Sequence, residues 1–410
     1  MVNRFILNEL SYFGAGARKE LPAVVARLGF KKALVVTDKG LVKFGVCKMV
    51  TDVMDEAGIP YEIYSDVVPN PTVTNVKNGV KAFADAKADF MVAIGGGSSM
   101  DTAKGIGIVT NNPEFSDVVS LEGVAPTKHK SVPVICFPTT AGTAAETTIN
   151  YVIIDEENHK KMVCVDPNDI PCCSIVDAEL MYSLPKATTA ATGLDALTHA
   201  IEGYITKAAW ELSDMFEIEA IRLINKYLRL AVFDPQNPKG REGMALAQYV
   251  AGMAFSNALL GIVHSMAHKT GAAFADFGAH IIHGAANAMY LPKVIAFNAK
   301  NPEAKQRYGA IADAMNLGGN NDDEKVALLI AALRKMNDEL NIPHCIKNYG
   351  ADSYPCEQGF VPENVFLERL PEIAKNAIGD ACTGSNPRIP TQAEMEQLLK
   401  CCYYDNEVDF

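Results

Sequence analysis

The sequence predicts an α/β N-terminal domain over residues 1–184, joined to an all-helical C-terminal domain over residues 185–410. Three observations carry this. Short β-branched runs alternate with amphipathic stretches in the first half only, a glycine triplet directly follows one of those runs, and helical periodicity takes over beyond Leu184. The chain has 410 residues, 49% of them hydrophobic, which is too long for one ordinary core and favours two domains.

In chain order, the strand-like runs are residues 33–37, 90–94, 132–137 and 174–176, with an amphipathic helix expected over Val73–Ala86. Strand–helix alternation of this kind makes a parallel sheet covered by helices on both faces. Ligands of such sheets sit at the carboxyl ends of strands. In the second half Leu194, Leu197, Ile201 and Ile205 form one helical stripe, and further helices are expected around 216–230, 243–255, 304–315 and 325–340. A ligand is expected between the two domains, where pockets commonly form.

The glycine triplet Gly95-Gly96-Gly97 ends the run 90–94 and leads into a helix expected to start near Ser99. Glycines let the backbone approach a phosphate, and a helix N-terminus offers free N–H groups and a positive dipole end. Without a ligand the same residues make a tight strand–helix turn. Thr139, Thr140 and Thr143 follow the run 132–137 and offer hydroxyls to a second phosphate or a ribose. Asp38 ends the run 33–37, where a carboxylate accepts both ribose hydroxyls of an adenosine and repels a 2′-phosphate. An N-cap is its ordinary alternative. Gly14-Ala15-Gly16 and Gly105-Ile106-Gly107 each begin a G-x-G-x-x-G but lack the third glycine. The acid also precedes the glycine loop, the reverse of the usual order, so a different dinucleotide fold is expected.

The formal net charge of −12 argues against a nucleic-acid partner, which needs clustered Lys and Arg. No run approaches the roughly 20 apolar residues that span a bilayer, and Arg4, Asn8 and Glu9 interrupt any signal-like start. Ten cysteines occur without a C-x-x-C pair, and Cys172–Cys173 and Cys401–Cys402 are adjacent. Reduced thiols in a cytoplasmic protein are the expectation.

Asp195 and His199 lie four apart, which places both on one helix face, and His264 and His268 repeat that spacing. His280 and His283 follow, and spacing does not choose between them. An imidazole-rich cluster with one carboxylate suits Fe²⁺ or Zn²⁺ with a position open for substrate. Each histidine alone would more often be a hydrogen-bonded core residue. His268, one turn past His264, is a candidate proton relay or a residue that hydrogen-bonds a ligand.

Five segments together resemble the iron-containing (group III) alcohol dehydrogenases over essentially the whole chain. They are Gly95-Gly-Gly-Ser-Ser-Met-Asp101, Pro138-Thr-Thr-Ala-Gly-Thr-Ala-Ala-Glu146, Ala191-Thr-Gly-Leu-Asp195-Ala-Leu-Thr-His199-Ala-Ile-Glu-Gly203, Val263-His-Ser-Met-Ala-His268 and His283-Gly-Ala-Ala-Asn-Ala288. The resemblance implies the dehydroquinate synthase-like fold of that family. It implies Asp195, His199, His264 and His283 as metal ligands. It places Gly96, Gly97 and Ser98 on the NAD pyrophosphate with Asp101 below, Thr139, Thr140 and Thr143 at the cofactor, and Lys161 near its ribose. It puts Asn150, Phe255 and Cys382 at the substrate cavity, and a homodimer formed partly through an N-terminal strand at residues 4–10. The implied activity is hydride transfer between NAD(H) and a small primary alcohol or diol, or its aldehyde, lactaldehyde and 1,2-propanediol included.

The chain departs from the family pattern in a longer segment between His268 and His283 that contains His280. Its place between the two histidines makes substrate specificity the property it bears on most. Related alternatives are a zinc glycerol dehydrogenase with three ligands and a sugar-phosphate cyclase or lyase of the same fold. The latter needs basic residues to clamp a substrate phosphate, whereas Leu, Ala, Met and Gly surround the histidines here. A non-catalytic binding protein is the alternative outside enzymes.

Overall fold

The computed structural model describes residues 2–158, 160–274, 281–349 and 361–410. The first part of the chain runs β1 (Leu10–Phe13), α1 (Leu21–Leu28), β2 (Ala33–Val36), α2 (Lys39–Lys43), α3 (Val46–Glu56), β3 (Tyr61–Tyr64), α4 (Val73–Ala86), β4 (Phe90–Gly95), α5 (Gly97–Asn111), β5 (Val134–Pro138), β6 (Asn150–Asp155), β7 (Lys160–Val165) and β8 (Cys173–Val176). The second part is helical: α6 (Lys186–Ile205), α7 (Glu211–Phe233), α8 (Pro238–Ala258), α9 (Ile262–Ala273), α10 (His283–Asn298), α11 (Pro302–Ala314), α12 (Asp322–Glu339), α13 (Glu363–Ile378) and α14 (Gln392–Tyr404).

The main sheet has six strands in the order β1-β8-β5-β4-β2-β3, and every pairing is parallel. Its central strand β4, Phe-Met-Val-Ala-Ile-Gly, is buried at every position. That is what a parallel strand covered on both faces requires. Alternation along the strands divides the core in two. Val35, Phe90, Val92, Ile94, Ile135 and Phe137 meet α1 and α3 through Val24, Val25 and Val50. Leu34, Val36, Met91, Ala93 and Cys136 meet α4 and α5 through Val76, Phe83, Met100 and Ile106. The antiparallel hairpin β6–β7 forms a separate two-stranded sheet.

The strand order explains the reversed order of acid and glycine loop. The chain leaves β2 for the edge strand β3, then crosses back to place β4 on the other side of β2. The carboxyl ends of β2 and β4 therefore lie side by side at a topological switch point, one followed by Asp38 and the other by the glycines.

One sequence expectation needs correction. The chain divides into two units after Leu184, but Pro235–Ser256 belongs with the first unit, not with the helical one. The reason is packing within that unit. Ideal Cβ atoms at Gly252 would come within 2.4 Å of Ala144 and Thr147. The Tyr249 hydroxyl also lies 2.6 Å from Ser11 Oγ and donates to Asn8 Oδ1 at 2.9 Å. Helical periodicity reports the type of an element and not the unit it joins. Residues 4–8 form no strand within the single chain. β1 starts at Leu10, and Asn8 instead donates to the carbonyls of Glu146 and Pro171. Among the described residues no single helix is long and apolar enough to cross a membrane.

Candidate metal centre and phosphate loop

In the helical unit, α6 presents Asp195, His199 and Glu202 at spacings of four and three, hence on one face. All three are buried. α9 supplies His264 and His268, and α10 opens with His283. The ligand atoms of Asp195, His199 and His264 lie within 4.8 Å of one another. Asp195 Oδ1 is 3.8 Å from His264 Nε2 and 3.7 Å from His283 Nε2. The rings of His199 and His264 stack with centroids 4.4 Å apart. Spacing leaves His280 and His283 both open as ligands, and the family resemblance implies His283. His283 joins the cluster, and His280 lies outside the described residues.

Asn287, one turn after His283, tests what this cluster fits. Its Nδ2 donates to Asp195 Oδ1 at 2.7 Å and lies 3.1 Å from His264 Nε2 and 3.3 Å from His283 Nε2. One amide nitrogen thus stands where a carboxylate oxygen and two imidazole nitrogens converge. Electrostatics agree. Burial pushes the Asp195 carboxyl up, but His199, His283 and His264 overcome this and hold it well below the usual carboxylate range. Burial works against the His264 imidazolium, yet Asp195 and Glu202 raise its pKa to about 9. A buried site that favours positive charge this strongly fits a divalent cation. Nitrogen and oxygen donors without a thiolate match iron or zinc.

Residues beyond the predicted ligands hold the cluster. Glu202 Oε2 lies 2.6 Å from His264 Nδ1, and its Oε1 accepts the Val263 N–H at 2.8 Å. One carboxylate therefore caps the start of α9 and turns His264 Nε2 towards Asp195. Glu202 could have been found from its place three residues after His199, and Asn287 from its place four after His283. Asp380 carries no such signal. It follows α13 and reaches His268 Nδ1 at 3.2 Å. The rings of His268 and His283 are parallel, with centroids 5.3 Å apart. Cys382 joins His268 and Asp380 in a second group whose ligand atoms lie within 4.8 Å of one another. Burial first, then Asp380 and Glu202, pushes the Cys382 thiol well above its ordinary range, so it stays protonated.

In the first unit the glycine loop lies at the end of β4. Gly95 has φ 153°, which favours glycine, and Gly96 caps α5, which begins at Gly97 rather than near Ser99. A Cβ at Gly96 would lie 3.2 Å from Thr140, and one at Gly97 would lie 3.2 Å from Thr143. The residues after β5 thus line the loop, and the Thr139 N–H bonds the Gly95 carbonyl at 2.9 Å. Ser98 lies in the first turn of α5. Burial pushes the Asp101 carboxyl up to about 7, while Lys104 and Lys161 oppose it. Asp38 caps α2 by accepting the Leu41 N–H at 2.9 Å. Asn150 opens β6 with its carbonyl on the buried Lys104 ammonium at 2.8 Å. Phe255 is buried in α8, and its neighbour Ser256 accepts the Ile149 N–H at 3.0 Å. Asn150 and Phe255 therefore belong to this unit, and Cys382 to the helical one.

A cation cluster with an imidazole-rich ligand set and a phosphate loop at a switch point are the equipment of a metal-dependent dehydrogenase. Two family models match the chain: iron-containing alcohol dehydrogenase over residues 9–178, and the C-terminal part of the Fe-containing alcohol dehydrogenase family over 189–403. This chain belongs to the iron-containing alcohol dehydrogenase family. It is 48% identical over 398 residues to lactaldehyde reductase of Escherichia coli K12, covering 97% of this chain and 99% of that protein. It is 40% identical over 410 residues to NADPH-dependent butanol dehydrogenase of Clostridium saccharobutylicum, covering 99% of this chain and all of that one. The crystal structure of a 1,3-propanediol oxidoreductase superposes with a TM-score of 0.90 at 36% identity, covering 98% of this chain and 100% of that one.

Proposed function

We propose that this chain reduces short aldehydes, or oxidises the matching primary alcohols and diols, with NAD(H) and a divalent metal, Fe²⁺ before Zn²⁺. The observation that carries the reading is the convergence of Asp195, His264 and His283 on one donor, the Asn287 amide. A metal held by Asp195, His199, His264 and His283 would supply a Lewis acid for the substrate oxygen. Glu202 fixes His264 for that task. Gly96, Gly97 and Ser98 present backbone N–H groups to a pyrophosphate, and Thr139, Thr140 and Thr143 line the same loop. Asp101 lies below the pyrophosphate and Lys161 near the ribose, a reading supported by the electrostatic interaction between the two side chains. Asp38 disfavours a 2′-phosphate, which supports NAD although one relative is named for NADPH. His268 takes or gives the proton at the oxygen. Asn150, Phe255 and Cys382 bound the substrate. Lactaldehyde, the named substrate of the 48% identical relative, is the first candidate.

A homodimer is part of the proposal, supported by β1 being an edge strand with one side unpaired in the sheet. So is a cytoplasmic location, supported by free thiols at all nine described cysteines.

The test is NADH consumption with lactaldehyde after anaerobic metal removal and reconstitution. Chelation should abolish turnover, and Fe²⁺ should restore more than Zn²⁺. His283→Ala should lose bound metal together with activity. Full activity in metal-free protein overturns the reading.

A further inference from the structure

The group His268, Asp380 and Cys382 beside the metal centre has the composition of a second cation site. Its hydrogen bonds give it another use. Lys269 places its ammonium 2.9 Å from Asp380 Oδ2, so positive charge is already supplied by the chain. The same oxygen lies 3.2 Å from His268 Nδ1. The other oxygen, Oδ1, accepts the Cys382 N–H at 3.1 Å, which is the carboxylate's own turn. The turn is anchored independently, because Thr383 Oγ1 lies 2.8 Å from Ser265 Oγ on α9 and donates to the Ala377 carbonyl at 2.7 Å. Asp380 is buried and is therefore held by its backbone turn, by α9 and by Lys269.

We infer that Asp380 is a positioning residue that fixes the His268 imidazole through Nδ1, and so sets the orientation in which the ring exchanges a proton with substrate or solvent. This rests on the reading of His268 as the proton relay. A carboxylate clamped on one oxygen and presented on the other sets both the ring orientation and the tautomer of the histidine it meets. His268 is stacked parallel to His283, so a fixed ring plane there also fixes the relay's distance from the metal ligands. Lys269 balances the carboxylate charge in this buried place.

A double-mutant cycle tests the inference, with metal content measured on every protein. D380N is nearly isosteric. It is expected to keep its metal and its KM for NADH while kcat falls at least about tenfold. H268A should lose kcat by a similar or larger factor. In the H268A background, D380N should add less than about a twofold further loss. A D380N loss that multiplies fully with the H268A loss overturns the positioning role and leaves the relay standing. Unchanged kcat in H268A overturns the relay itself, and the inference with it. D380E guards against a folding artefact in D380N because it keeps the charge pair with Lys269. It moves the carboxylate by one methylene and should lose kcat severalfold with KM unchanged. Unmodified kcat in D380E overturns the inference.

Discussion

Asp38 caps α2 with one carboxylate oxygen and keeps the other for the proposed ribose contact. Oδ1 accepts the Leu41 N–H and starts α2, which leaves Oδ2 for a ribose at the end of β2. The two readings that sequence held as alternatives, N-cap and ribose acceptor, are thus compatible. Replacing an N-cap acid with glycine costs only a few tenths of a kcal/mol, so Asp38→Gly should fold normally. The unmodified enzyme is expected to prefer NADH over NADPH by at least about tenfold in kcat/KM, roughly 1.4 kcal/mol. In Asp38→Gly that gap should narrow, because the charge facing a 2′-phosphate is gone. Equal kcat/KM for both cofactors in the unmodified enzyme removes the basis for this role.

The N-terminus of α10 sets the distance on which the metal centre depends. A Cβ at Gly284 would lie 2.1 Å from the Ala191 carbonyl oxygen and 3.2 Å from Asp195 Cβ. The contact is with backbone, so rotating a side chain cannot relieve it. Gly284→Ala must push α10 away from α6, and His283 precedes it directly. The expected result is at least a tenfold loss of metal affinity, together with destabilisation of about 1–3 kcal/mol from overpacking. Metal content after dialysis and calorimetric unfolding measure the two effects separately. Normal metal retention in this variant shows that the two helices can part without moving His283. The same contact gives the glycine after the ligand histidine a steric reason.

Across the whole molecule, buried carboxyls give stability a definite pH dependence. Burial pushes the Asp169 carboxyl up to about 8, with Lys104 opposing. Neither of its oxygens has a hydrogen-bond partner among the described residues. Glu146 and Asp101 are each pushed up to about 7, again by burial first. The unfolded chain releases these protons near pH 4, and the folded chain keeps them until pH 7–8. Between those values the native state binds more protons, so stability falls as pH rises through that window and levels off above it. Asp169→Asn removes one of the three groups. It should be more stable than the unmodified chain at pH 8 by about 1–3 kcal/mol, with the difference closing towards pH 4. Denaturant titrations at several pH values provide the check, and a gain of equal size at every pH means that titration of Asp169 is not its cause.

Local chemistry determined much of this protein from sequence alone. Short β-branched runs marked β2, β4, β5 and β8, period-3.6 hydrophobic patterning marked α6, α7, α8, α11 and α12, and i, i+4 spacing put Asp195 with His199 on one face. The family motifs supplied His283 where spacing was silent. These signals were legible because each is written within one element or one turn. Tertiary structure alone decided the rest, because it depends on segments far apart in the chain. The crossing back from β3 made the ends of β2 and β4 neighbours. Packing of Gly252 and Tyr249 joined a helical segment to the α/β unit. A turn 112 residues after His268 brought Asp380 to its ring. No periodicity encodes such meetings, because the energy that selects them is packing and hydrogen bonding between distant residues.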